Sequence, residues 1–125
     1  MGRASLFFVA FVAFSTTAFP PPARAAEAPF EPSLVRLAEI LGSLHFLRNL
    51  CGEPGEQWRG EMEKLLLAEN PDPARRAKFI ASFNRGYRAY AGTYTSCTAS
   101  ATEAIRRYMK EGEELTREVA GRYGN

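Results

Sequence analysis

Residues 41–51 read LGSLHFLRNLC, and the fold turns on how this stretch is read. Leu34, Leu37, Leu41, Leu44 and Arg48 recur at steps of three and four, which places them on one helical face. Ile40, Leu47 and Cys51 flank that face, while Phe46 and Leu50 fall on the other side, so this helix is expected to be covered on two sides. The stretch holds the only histidine, His45, an arginine among leucines, Arg48, and one of the two cysteines. The other cysteine, Cys97, closes a second helical segment. A Cys51–Cys97 disulfide would clamp the two helix ends together.

The first helix should begin near Pro32, with proline in its first turn, and end at Gly52 as the residue past the cap. A second helix follows Pro54-Gly55, with Trp58, Met62, Leu65 and Leu66 as its apolar stripe and Glu69 one turn further on. Asn70-Pro71-Asp72-Pro73 stops it and starts a third, with Asp72 as N-cap and Pro73 at the first position. The third helix is expected to run from Pro73 to about Tyr94 behind an aromatic face of Phe79, Phe83, Tyr87, Tyr90 and Tyr94. A fourth carries Ala101, Ile105, Tyr108, Gly112, Leu115, Val119 and Tyr123 in one stripe. Gly112 on that stripe costs about 1 kcal/mol against alanine, which a close helix crossing or a kink would explain. No stretch alternates with period two. The expected fold is all-α: a small antiparallel bundle of about four helices with one disulfide.

The chain opens differently. Arg3 precedes an apolar run, Leu6–Phe14, then Pro20–Pro22 and Ala23-Arg24-Ala25. This is the pattern of a signal peptide cleaved after Ala25, leaving a short lead-in over 26–31 and a bundle domain over 32–125. A retained anchor is the competing reading, but the run is shorter than the roughly 20 apolar residues that span a bilayer. No cysteine stands near the cut to take a lipid. Cleavage removes Arg3 and Arg24 from the 16 basic residues, which then balance the 14 acidic ones. A near-neutral chain has no electrostatic basis for general nucleic-acid binding. The expected location is the periplasm or outside the cell, with no span left after cleavage. There, two cysteines most simply form one disulfide, and closing a loop of this length stabilises the fold by roughly 4 kcal/mol.

The chemistry on offer is sparse. With one histidine, one aspartate and both cysteines expected in the bridge, no metal site is expected. No haem-attachment motif, nucleophile elbow or phosphate loop occurs, so neither catalytic nor cofactor-binding residues are assigned. His45, Arg48 and Glu69 on apolar faces read either as a polar pocket with His45 as acid or base, or as core-edge pairs, and the second is preferred. Glu53 and Glu61 lie at the height of Arg48, whereas Glu69 does not. Asp72 is committed to its cap.

Charge is segregated. Arg75, Arg76, Lys78, Arg85 and Arg88 lie between Pro73 and Cys97 without an acid among them, whereas residues 53–69 hold five glutamates. The preferred account sets the second and third helices side by side as complements. The sharper one is a basic face for an anionic envelope component or an acidic protein. Tyr87, Tyr90 and Tyr94 are expected in the core, with the rim of a ligand groove as the alternative.

The blocks LGSLHFLRNLCG, WRGEM, AENPDPARR, FNRGYRAYAGTYTSCT and AIRRYMKEGEELTREVAGRYGN together resemble an uncharacterised family of short exported proteins of alphaproteobacteria, a domain of unknown function. The likeness runs from about Leu34 to Asn125. It implies a bacterial envelope protein with a cysteine in each of two blocks, matched by Cys51 and Cys97, and it implies no reaction. The functional expectation is a binding or interaction module of the cell envelope. A small enzyme or enzyme accessory using His45 and Arg48, and a purely structural envelope component, are the alternatives.

Overall fold

A computed structural model of the chain describes residues 18–19 and 30–123. Apart from 18–19, the expected leader lies outside the described residues, as does the lead-in up to residue 29. Four helices follow in order: α1 (Glu31–Leu50), α2 (Gln57–Glu69), α3 (Pro73–Ala91) and α4 (Ala99–Tyr123). Among the described residues there is no strand, and no helix is long and apolar enough to cross a membrane.

The punctuation works as the sequence implies. Gly52 takes φ +94° just past α1, and the Glu53 amide donates to the Arg48 carbonyl at 2.9 Å, so the final turn is closed by a left-handed glycine. Asn70 ends α2 in the left-handed region at φ 40°. The Asp72 carboxylate accepts from the Arg75 amide at 2.8 Å and caps α3, whose first residue is Pro73. The third helix stops at Ala91, short of the expected Tyr94, because the chain turns at Gly92 and carries Tyr94 in the connection to α4.

The first helix is the centre of the molecule. It packs against all three others, whereas among the described residues no Cα atom of α4 comes within 8 Å of α2 or α3. Its burial therefore wraps round instead of forming one stripe: Leu34, Ala38, Ile40, Leu41, Leu44 and Leu47 are all buried. Leu34, Ala38 and Leu41 meet Met62 and Leu66 of α2 and Phe79 and Phe83 of α3. Ile40, Leu44 and Leu47 meet Ala101, Ala104 and Ile105 of α4 in a second core on the opposite flank. Trp58 borders both cores.

Paired residues give the directions. Glu31 reaches Arg75 and Phe46 reaches Tyr87, so α1 and α3 run parallel. Arg36 reaches Glu111 and Ser33 reaches Glu118, so α4 runs antiparallel to α1. Chain direction thus alternates from helix to helix, and α1 and α3 end at the same pole. There Cys51 and Cys97 form the disulfide, with Cα atoms 4.9 Å apart across 46 positions.

The close crossing lies between α1 and α3, not at Gly112. A Cβ placed on Gly42 would overlap the Phe83 carbonyl oxygen and lie 2.7 Å from its carbon. One on Gly86 would overlap the Glu39 carbonyl oxygen and lie 2.9 Å from that carbon. The hydroxyl of buried Ser43 donates to the Gly86 carbonyl at 3.2 Å, fastening the two backbones where they touch. At Gly112 a Cβ would meet only Ile40 Cγ2 at 3.5 Å and Leu37 Cδ1 at 3.9 Å, ordinary contact distances, and α4 continues through it unbroken.

Candidate functional site

Because no Cα atom of α4 comes within 8 Å of α2, a groove opens between the two helices. Its floor is Leu37, Ile40, Leu41 and Leu44 of α1. Trp58 forms the α2 wall, and Tyr108, Met109 and Gly112 the α4 wall. The groove encloses about 650 Å³, within the span of small-molecule sites. Gly112 explains part of that room, since no side chain projects there over Ile40. Glu61, Lys110, Glu113 and Arg117 rim the groove. Glu61 is paired with Lys64 at 3.0 Å and Glu113 with Arg117 at 3.1 Å, whereas Lys110 has no ion-pair partner among the described residues.

The histidine and arginine of the opening stretch lie away from this groove and serve different neighbours. His45 is half-buried on the α1–α3 seam, with its ring 5.9 Å from Phe83 and 5.7 Å from Tyr87, both tilted. Its polar neighbour is Asn49, whose amide lies 3.5 Å from Nδ1. Asn49 in turn shapes the α1–α2 connection, donating to the Gly55 carbonyl at 3.1 Å and accepting from the Gly55 amide at 2.8 Å. Arg48 pairs with Glu53 at 3.1 Å, one of the two acids expected at its height; the other, Glu61, pairs with Lys64. This arrangement can pack and orient side chains. It does not align a base with a nucleophile.

The basic residues of α3 are not complements of α2 alone. Arg75 forms a fork with Glu31 at the start of α1, Nε to Oε1 at 3.0 Å and Nη2 to Oε2 at 2.6 Å. Its Nη2 also reaches Glu69 at 3.1 Å. Glu31 is 3% exposed and the Glu69 side chain 9%, so one guanidinium holds two desolvated carboxylates. The same guanidinium lies over the Phe79 ring at 5.1 Å. These contacts hold the Arg75 pKa above its ordinary value, the Glu31 hydrogen bonds first among the causes. Glu69 therefore joins three helix ends at the pole opposite the disulfide and is remote from His45 and Arg48 in function. Arg85 pairs with Glu39 of α1 at 3.3 Å. Lys78 has a partner too, which leaves Arg76 and Arg88 exposed without an ion pair among the described residues.

The aromatic face divides. Phe79 and Phe83 are buried, while Tyr87 is exposed and meets Phe46 edge-on at 5.4 Å. Tyr90 and Tyr94 stack at 5.8 Å beside the disulfide, and the Tyr90 hydroxyl lies 2.6 Å from that of Tyr108. Burial pushes the Tyr90 phenol up to about 12, and the bond to Tyr108 acts in the same direction. Tyr90 and Tyr94 also border an open recess with Ser100, Glu103 and Arg107.

The sequence reading missed the groove and the Arg75 clamp. Two signals were present. The glycine on the α4 stripe marked a place where a side chain is left out, and Arg75 stood six residues past an acid on an apolar face. Comparison with known proteins adds one finding: the model of a family described as "Protein of unknown function (DUF2385)" matches residues 29–123. No curated protein and no solved structure matches.

Proposed function

The chain belongs to DUF2385, and from that premise we propose that its domain is an exported binding module of the cell envelope, holding a partner in the α2–α4 groove. What carries this reading is the groove itself, mainly apolar and lying between two helices with no Cα atoms within 8 Å of each other. A helix pair closed over α1 would have buried Leu37, Trp58 and Met109 further. Two features support export. The first 25 residues have the charge, apolar run and small-residue cut of a leader, and a long-range disulfide suits an oxidising space.

Fractionation tests the location. The protein should be released with the periplasm, begin at Ala26 and resist thiol labelling until reduced. An intact Met1 species in the membrane pellet would refute export. A photoreactive residue at position 109, on the groove wall, tests the binding role. It should give a discrete adduct in intact cells, and the same residue at position 88 on α3 should not. Equal labelling from both positions would remove the groove from the proposal.

A further inference from the structure

The groove carries a preference for a particular chemistry, and an inference about it rests on the binding reading above. We propose that the groove takes a single-chain amphiphile with an anionic head group, the alkyl chain lying against Leu37, Trp58 and Met109 and the head group meeting Lys110.

Three observations combine. First, the exposed surface of the lining is mainly apolar, with Leu37, Trp58 and Met109 standing over a floor of Ile40, Leu41 and Leu44 that is already buried. Such a wall offers an alkyl chain contact along its length and offers a sugar or nucleotide few hydrogen bonds. Second, the lining on α4 runs from Tyr108 to Arg117, which at 1.5 Å per residue is a trough of about 13 Å. That is an elongated shape, suited to a chain more than to a compact ring. Third, the rim charges are already balanced except at one point. Glu61 is neutralised by Lys64 and Glu113 by Arg117, so Lys110 supplies the uncompensated charge, and it is positive. An anionic head group completes that rim, and a cationic one meets repulsion. On α3, Arg75 and Arg85 are held by Glu31, Glu69 and Glu39, and Arg76 and Arg88, though without an ion pair among the described residues, do not line the groove.

The chain's single tryptophan, Trp58, lines the groove and reports its occupancy directly. Laurate, dodecanol, dodecyltrimethylammonium and lysophosphatidylglycerol, each below its micelle concentration, are titrated into the disulfide-bonded protein as it accumulates in its host, following Trp58 fluorescence. Laurate should bind saturably, about tenfold tighter than dodecanol, as expected for one charge-assisted contact. The cationic amphiphile should bind weakest. Stronger binding of laurate or of the lysolipid separates a carboxylate source from a phosphate source within the same chemistry. Lys110→Ala should erase the preference for laurate over dodecanol while leaving both bound. Met109→Glu and, independently, Thr116→Phe should abolish binding by obstructing the wall, with circular dichroism checking that each variant is folded. Failure of both anions to bind saturably overturns the proposal, as does a cation bound as tightly as laurate, or laurate binding that survives both obstructing variants. Should a polypeptide adduct form from position 109 while neither anion binds, the amphiphile falls and the binding module stands.

Discussion

The two sides of α1 are built on opposite plans. Against α3 the side chains are given up at one crossing, where Gly42 and Gly86 bring main chain onto main chain, with Ser43 bonded across the seam. Between α2 and α4 it presents large leucines to a groove that nothing among the described residues fills. The seam is closed at one pole by the disulfide and at the other by Arg75 between Glu31 and Glu69. The rigidity of the fold lies in the seam between α1 and α3. One interface is fixed by contacts with no slack, and that fixity lets the neighbouring surface remain open without collapse.

The largest test is at the disulfide pole. Cys51→Ser with Cys97→Ser should lower stability by about 4 kcal/mol in chemical denaturation, a large share of the roughly 5–15 kcal/mol of a typical domain. At the other pole Arg75→Met should cost about 3 kcal/mol, because two buried carboxylates lose their shared cation. On the seam, Gly42→Ala or Gly86→Ala should cost about the same, since each Cβ lands on a carbonyl that cannot retreat without parting the helices. Gly112→Ala sharpens the contrast. On the groove wall the added Cβ meets only ordinary contacts, so stability should rise by about 1 kcal/mol. A destabilised Gly112→Ala, or an unperturbed Gly86→Ala, would break the distinction between the two sides.

The smallest effect is a titration. The Arg36 guanidinium, hydrogen-bonded to Glu111 through Nε and Nη2 at 2.9 Å each, holds the Glu111 carboxyl below its ordinary 4.5. A carboxyl whose folded pKa is depressed contributes stability above its unfolded value and loses it as pH falls through the folded one. Both side chains are 39% exposed, so the loss below pH 4.5 should stay under about 1 kcal/mol. Glu111→Gln should flatten that part of the pH–stability curve, measured by denaturant midpoints; an unchanged slope would show that the pair adds nothing to stability.

How much of this could be read beforehand depends on whether a feature is local. Caps and stops are, so Gly52, Asn70-Pro71 and Asp72-Pro73 fixed the ends of α1 and α2 and the start of α3 without reference to anything distant. Cysteine pairing needed no geometry either, because two cysteines allow a single intramolecular bridge. The seam was not legible by the same means. Each glycine alone reads as a weak point in a helix, and only the matched pairs Ala38-x-x-x-Gly42 and Ser82-x-x-x-Gly86 mark two small faces that fit together. Arg75 misled for a related reason. In its own helix it opposes the dipole, and its two carboxylates come from elsewhere in the chain, one of them 44 positions earlier. The groove is harder still, because Gly112 marks only a missing side chain, and the space beside it depends on how far apart two helices distant in sequence are held.

Placing the hub helix first in the chain has a kinetic consequence. Contacts that fix α1 reach 44 positions ahead to Arg75, 75 ahead to Glu111 and 85 ahead to Glu118. Such non-local closures come late, after the intervening chain has been made. Synthesis therefore delivers the centrepiece before any of the parts that hold it, and its second core cannot close until α4 emerges. The core shared with α2 and α3 can close earlier, once Phe83 has been made.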